Sequence, residues 1–152
     1  MHALRTSFRQ KLSIFGLLLI LFCASCSSVK LIADYDEVSY TTINTIQQDI
    51  TTFFVDMDAN IGTPKAKYAA HTNFYRDLKI KTEVLKLRAN AIDKNEIVIK
   101  QVELLQTIIS TLENLDKSGI NSKAELIPIR NGFNSAMTAM LKLQIALKRG
   151  KG

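Results

Sequence analysis

The feature that most constrains the fold is a helical spacing of apolar residues that recurs in four stretches of the chain. Apolar and small side chains return every three or four residues over about 29–58, 63–89, 93–118 and 122–147. This spacing places them on one face of an α-helix, whereas a half-buried strand would show strict alternation. The sequence therefore predicts four amphipathic helices of roughly 24–30 residues each.

Turn and cap residues separate the four stretches. Gly62 ends the first stretch, and Gly119 ends the third. Pro128 and Gly132 predict a kink or a broken start in the fourth helix. Start signals precede the last three stretches: Thr63-Pro64, Asp93 with Glu96, and Ser122 with Glu125. Because such short connections make consecutive helices antiparallel, the predicted fold is an all-α, up-down-up-down four-helix bundle.

The charge alternates in sign from one stretch to the next. Residues 29–60 hold one lysine and six acidic residues, and residues 61–94 hold eight basic and three acidic residues. Residues 95–122 hold two basic and four acidic residues, and residues 123–152 hold six and one. If the helices follow one another around a ring, every neighbouring pair is opposite in sign. The pattern disfavours other arrangements.

The first 25 residues have the organisation of a secretory signal peptide. Residues 1–11 carry three basic residues and no acidic residue, and the apolar segment Leu12–Phe22 follows. That segment has 11 residues, against roughly 20 for a membrane-spanning helix. Small residues then precede Cys26, so we predict cleavage between Ser25 and Cys26. The predicted domains are the signal peptide, 1–25, and the helical bundle, 26–152.

The segment Ala24-Ser25-Cys26 resembles the lipobox of bacterial lipoproteins. This resemblance implies that Cys26 becomes the acylated, palmitate-carrying N-terminus, although Cys23 stands where leucine is usual. Ser27, where an aspartate would retain a lipoprotein in the inner membrane, implies the outer membrane, facing the periplasm. The alternative is a secreted protein in which Cys26 is a free thiol.

Several residues on the predicted apolar faces are candidates for a binding site. Met137, Met140 and Phe133 lie on the fourth face and Tyr75 on the second. Because methionine can line an adaptable groove, these four residues are candidate partner-binding residues, and plain core is the alternative. His71 is interpreted as a histidine of the helix interface, bonded to a hydroxyl or carbonyl group.

The sequence favours neither a metal site nor an enzyme. Two histidines and two cysteines are too few for a histidine-based metal cluster or a haem site. Acidic residues at positions 34, 36 and 37 are typical of a helix start, where they complement the helix dipole. The sequence has no glycine-rich phosphate loop and no nucleophile elbow. We expect no metal, cofactor, catalytic residues or nucleic-acid partner.

The C-terminal bases Lys148, Arg149 and Lys151 are predicted to face the membrane. Only Ser27 and Ser28 separate Cys26 from the predicted start of the first helix. In an up-down-up-down bundle, the C-terminus lies at the same end as the start of the first helix. Basic residues there are attracted to an anionic lipid surface.

Three segments resemble small bacterial lipoproteins that have no assigned function: Leu31–Asp36, Tyr68–Tyr75 and Ala146–Gly150. By architecture alone the chain is also similar to pilotins, small helical lipoproteins that grip a secretin segment in a helical groove. These resemblances imply a non-enzymatic, lipid-anchored bundle that binds a protein partner at the outer membrane, in a pilotin-like or envelope-assembly role. The alternative is a binder of a small apolar or lipidic ligand between the helices.

Overall fold

The computed structural model describes residues 32–150. The chain divides into two compact units, 1–31 and 32–152, and only the second is described here. The predicted signal peptide, the cleavage residues Ser25 and Cys26, and the basic residue Lys151 lie outside the described residues.

Four α-helices make up the described unit, and residues 32–150 contain no strand. Two short 3₁₀ turns, Pro64–Ala66 and Tyr68–Ala70, stand between the first and second helices. The helices are α1 (Glu37–Asn60), α2 (Thr72–Asn90), α3 (Glu96–Ser118) and α4 (Lys123–Arg149). The prediction of an all-α chain with four helices is confirmed.

The helices follow one another around a ring. α1 and α3 each pack against α2 and α4, while the diagonal pairs are not in contact within the described residues. The ion pairs between helices accordingly join neighbours of opposite predicted charge, as Lys81–Asp49, Lys86–Glu103 and Arg130–Asp58 illustrate. An exposed pair of this kind contributes about 0.2–1 kcal/mol. The alternating charge therefore supports the ring order more through its pattern than through any one pair.

The core is filled by apolar residues from all four helices. Each helix contributes fully buried side chains, for example Ile46, Leu78, Leu105 and Met140. All four belong to the predicted apolar faces. Burying such a side chain stabilises the fold by about 1.5–3 kcal/mol relative to leaving it in water.

The first helix begins later than predicted. Residues 32–36 are not helical, and α1 starts at Glu37 rather than near residue 29. Asp36 adopts an extended conformation, and its carboxylate accepts a hydrogen bond from the backbone N–H of Ser39 at 2.9 Å. The N–H of Ala33 donates to the carbonyl of Lys94 at 3.1 Å, which fixes this leading segment beside the start of α3. An aspartate cap ends the helix here because its carboxylate accepts from an N–H whose acceptor would otherwise be a carbonyl of a preceding turn.

The second helix also begins later than predicted. Thr63 and Pro64 do start a helical turn, but it is a 3₁₀ turn that ends at Ala66. Lys67 is extended, and α2 starts only at Thr72. A cap signal specifies where a turn begins, and tertiary contacts decide whether that turn continues as a helix.

The predicted start of α3 is displaced, whereas the predicted start residue of α4 is correct. The N-cap of α3 is Asn95 rather than Asp93, after Lys94 at a φ of 60°. Ser122 does occupy the N-cap of α4, but its hydroxyl donates to the Glu125 carboxylate instead of accepting from the backbone. The Glu125 carboxylate accepts from the backbone N–H of Asn121 rather than from that of Ser122, so neither bond of the predicted capping box forms.

The fourth helix is not broken at its start. α4 runs as one helix through Pro128 and Gly132, so the predicted broken start is wrong, while the kink stays a prediction. Pro128 lies in the second turn and removes only its own N–H from the ladder. A Cβ added at Gly132 would lie at an ordinary van der Waals distance of 3.9 Å from Ile108 of α3. The contact between α4 and α3 therefore does not require a glycine at this position.

Candidate functional site

The structure places the four predicted partner-binding residues in the core. Met137, Met140, Phe133 and Tyr75 are all at most 3% exposed. A partner would have to open the bundle to reach them. Their placement favours the alternative interpretation, in which they are core residues.

A cleft lined by charged and aromatic residues lies elsewhere, between α1 and α2 at the end of the bundle that carries the 3₁₀ turns. It has a volume of about 580 Å³ and is open on one side. Its walls come from the last turns of α1, the first turns of α2, and the connecting segment 63–71. We call it the corner cleft.

Two phenylalanine rings form the floor of the corner cleft. Phe53 of α1 and Phe74 of α2 are stacked, with ring centroids 4.4 Å apart and planes inclined by 6°. The His71 ring meets Phe53 edge-on at 5.1 Å. Phe53 is buried and Phe74 is half-buried, so Phe74 presents apolar surface to the cleft.

The walls of the corner cleft are charged. Asp49 and Lys81 face each other across it as an ion pair at 2.5 Å. Asp77 is bonded to the neighbouring Arg76, and Asp56 makes no ion pair within the described residues. With Lys65 at the rim, the lining holds three aspartates and two lysines, which leaves one net negative charge.

A buried polar network backs the cleft. The Asp116 carboxylate of α3 has no exposed surface, and its Oδ2 accepts hydrogen bonds from His71 Nδ1 and the Tyr75 hydroxyl, both at 2.9 Å. Its Oδ1 is buried without a hydrogen-bond partner among the described residues. His71 is therefore a histidine of the helix interface, as the sequence predicts, but its partner is a carboxylate rather than a hydroxyl or carbonyl group.

The partner of His71 fixes its tautomer. A carboxylate only accepts hydrogen bonds, so the proton of the neutral imidazole sits on Nδ1 and Nε2 carries a lone pair. Nε2 makes no hydrogen bond within the described residues and is not among the buried unpaired atoms. Because His71 lines the corner cleft, Nε2 is a hydrogen-bond acceptor available there.

A second carboxylate ties the connecting segment to α3. Glu113 accepts hydrogen bonds from the Tyr68 hydroxyl at 3.0 Å and from Lys79 at 2.5 Å, and it pairs with Lys117 at 3.2 Å. Burial alone would raise the pKa of Glu113, but the hydrogen bonds from Lys79, Tyr68 and Lys117 outweigh it and hold the pKa below its usual value. Tyr68 and His71 thus hold residues 63–71 against α3 through charged partners.

Burial governs the second tyrosine of the network. It raises the pKa of the Tyr75 hydroxyl far above its ordinary value, and the nearby Asp116 carboxylate raises it further. Tyr75 is therefore a neutral donor throughout the physiological range. It fixes Asp116 in place without adding charge to the core.

At the opposite end of the bundle, Lys148, one of the predicted membrane-facing bases, already contacts other side chains of the bundle. Lys148 lies over the rings of Tyr35 and Tyr40, 5.3 and 5.6 Å from their centroids, and 3.8 Å from the Glu37 carboxylate. Hydrogen bonding to Tyr35, followed by the charge of Glu37, raises the pKa of Lys148. Arg149 is the last residue of α4 and is exposed.

No protein-family model, curated protein sequence or solved structure matches this chain. The resemblances to bacterial lipoproteins and to pilotins therefore stay predictions. Among residues 32–150, no helix is both long and apolar enough to span a membrane. Nor does this part of the chain group three or more histidine, cysteine or acidic side chains for a metal ion.

Proposed function

We propose that this chain is a lipid-anchored, non-enzymatic helical bundle of the bacterial outer membrane that faces the periplasm and binds a protein partner in the corner cleft. The observation that carries the proposal is the cleft itself, with its apolar floor, charged walls and open side. Interfaces that bind reversibly combine an apolar centre with a polar rim in this way.

The anchor is supported by the sequence alone. The order of basic residues, an apolar segment of 11 residues and Ala24-Ser25-Cys26 is that of a lipoprotein precursor. The start of α1 at Glu37 lengthens the expected tether: the seven Cα–Cα steps from Cys26 to Ala33 reach about 25 Å when extended. Ala33 is fixed at the end opposite the corner cleft, so an acyl chain on Cys26 leaves the cleft free to meet a partner.

The volume of the cleft is also compatible with the alternative function, the binding of a small ligand. Small-molecule sites occupy roughly 300–1,000 Å³, and the corner cleft holds about 580 Å³. It lies between α1 and α2 and is lined by aspartates, whereas an apolar or lipidic ligand would be better matched by an apolar cavity. A protein segment that carries both polar and apolar side chains fits this lining better.

Lipidation is tested by replacing the candidate acceptor. Cys26→Ala expressed in a Gram-negative host should give an uncleaved precursor that incorporates no labelled palmitate, because the acylated thiol is gone. Cys23→Ala is the matched control and should be labelled like the wild type. Palmitate incorporation into Cys26→Ala would contradict the anchor.

Partner binding is tested by a photocrosslinking side chain introduced in living cells. Thr52 lines the corner cleft, and Thr107 is an exposed threonine on α3 outside it, so the two positions form a matched pair. Crosslinker at Thr52 should give one discrete protein adduct, identified by mass spectrometry, that the Thr107 variant does not give. Adducts of equal yield at both positions, or none at Thr52, would remove the cleft as the binding site.

A further inference from the structure

We infer that the corner cleft takes a basic side chain, an arginine first of all, from an extended segment of the partner protein. The inference rests on the proposed function and adds the chemical class of the segment that is bound. Three independent features of the cleft point to it: the kind of hydrogen-bonding atoms it offers, its charge, and the geometry of its floor.

Several polar atoms that line the cleft are available as acceptors, and Gln48, Thr52 and Lys65 offer donors beside them. In the neutral imidazole, Nε2 of His71 carries a lone pair because Nδ1 donates to Asp116. The Asp56 carboxylate makes no ion pair within the described residues, and Asp77 is bonded only to the exposed Arg76. An occupant that pairs with these acceptors brings donors, and a guanidinium brings five in one plane.

The charge of the lining agrees with a cationic occupant. Lys81 is already paired with Asp49, and Lys65 is exposed at the rim, on the connecting segment. The carboxylates at positions 56 and 77 lie on opposite walls, one on α1 and one on α2. A carboxylate and a guanidinium form paired, charge-assisted hydrogen bonds, which an ammonium group matches less well.

The floor of the cleft suits the planar guanidinium. Phe74 is half-buried, with one face stacked on Phe53. Arginine stacks on aromatic faces and gains about 0.5–1 kcal/mol at an exposed site, more where water is excluded. The same bundle makes this contact internally, since the Arg130 guanidinium lies 4.8 Å from the centre of the Phe54 ring.

The test is a titration of the full chain in detergent, with imidazole carbons isotope-labelled and followed by NMR. N-acetyl-arginine amide is the probe, and N-acetyl-citrulline amide is its neutral, nearly isosteric control. The arginine probe should shift the His71 resonance to saturation, and the citrulline probe should bind at least about fivefold more weakly. The predicted cleavage before Cys26 removes His2, so His71 gives the single imidazole resonance of the mature chain that is titrated.

Variants show whether the wall carboxylate is responsible. Asp56→Asn should weaken arginine binding about fivefold, while Asp93→Asn, which removes the same charge from an exposed site at the opposite end, should leave it unchanged. Equal shifts from arginine and citrulline, or an unaffected Asp56→Asn variant, would overturn the inference. Stronger binding of N-acetyl-norleucine amide would do so too and would indicate an apolar occupant.

The outcome is separable from that of the proposed function. If a partner is crosslinked at Thr52 and the Asp56→Asn change does not weaken its binding, the proposed function stands and the basic segment is refuted. Saturable arginine binding without any adduct at Thr52 in cells would support the chemistry of the cleft and refute the partner.

Discussion

The two ends of the bundle handle their charged groups in different ways. At the end where α1 starts, which we call the anchor end, Arg88 makes a forked contact with Asp36, and Lys148 lies over two tyrosines. All these groups keep some contact with solvent. At the cleft end, the Asp116 carboxylate is completely buried, and one of its oxygens has no hydrogen-bond partner among residues 32–150.

The comparison distinguishes ion pairs that hold the ends of the described unit against the bundle from a buried carboxylate that orients a side chain of the cleft. Exposed pairs at the anchor end hold residues 32–36 and the end of α4 in place at little desolvation cost. The cleft end desolvates a carboxylate, an expense that stability alone would avoid by using apolar residues. What the buried carboxylate provides there is a fixed orientation for His71 on the wall of the corner cleft.

The largest effect is expected from Asp116→Ala. This change leaves His71 Nδ1 and the Tyr75 hydroxyl as buried donors without an acceptor, so it should lower the free energy of unfolding by about 2–4 kcal/mol. Urea unfolding of residues 27–152, which include the whole described unit, measures it. Asp77→Ala, at an exposed aspartate, is the control and should stay within about 0.5 kcal/mol of the wild type. If Asp116→Ala lowered the free energy of unfolding by less than about 1 kcal/mol, the proposed difference between the two ends would be contradicted.

At the anchor end, Asp36→Ala should cost less, about 1–2 kcal/mol, because it removes the α1 N-cap and the partially exposed pair with Arg88. Asp93→Ala, exposed and at the same end, should change stability little. If Asp36→Ala proved more damaging than Asp116→Ala, the ranking of the two ends would be reversed.

The pH dependence of stability tests the contribution of Asp36 at the anchor end. Hydrogen bonding from Arg88, with further bonds from Ser39, holds the pKa of Asp36 well below its usual range. A carboxyl group whose pKa is lowered by folding stabilises the fold above its unfolded pKa of about 3.9 and loses that contribution as the pH falls. The stability advantage of the wild type over Asp36→Asn, measured by thermal unfolding, should therefore be constant from pH 7 to 5 and shrink below pH 4. A difference that does not depend on pH would contradict this.

The smallest effect on stability is expected at the predicted membrane-facing bases. Lys148→Gln should leave the urea midpoint almost unchanged, because the lysine is more than half exposed. Lys148, Arg149 and Lys151 changed together to glutamine should weaken the binding of unlipidated residues 27–152 to anionic vesicles several-fold at low salt. Vesicle binding that is unaltered by the triple change would refute the predicted orientation.

The fold was predictable because its information is local and periodic. The 3.6-residue spacing located all four helices, and the alternating charge of the stretches agreed with their ring order. The two late helix starts were not predictable in the same way. Asp36 is one of three nearby acids that could cap α1, and it is selected by its ion pair with Arg88, together with the bond from Ala33 to Lys94 that fixes the leading segment.

The candidate site was less predictable, although a signal for part of it existed. On α3 the buried positions Val102, Leu105, Ile109 and Leu112 alternate in steps of three and four residues, and the next step of four reaches Asp116. An aspartate on an apolar face therefore marked a buried polar contact. Its pairing with His71, 45 residues earlier, depends on how two distant segments meet, which periodicity does not encode.

The second helix is five residues shorter than the first, with 19 residues against 24. At 1.5 Å per residue, α2 therefore stops about 7.5 Å short of matching α1, and the segment 63–71 only partly fills that corner. The recess is thus a matter of helix length rather than of missing core side chains. Changes at exposed positions of this connection, such as Lys65, can reshape the recess without touching the core. His71 and Phe53 differ, because they line the recess and also belong to the polar network and the aromatic packing of the bundle. The shape of the recess and the stability of the fold therefore depend in part on the same residues.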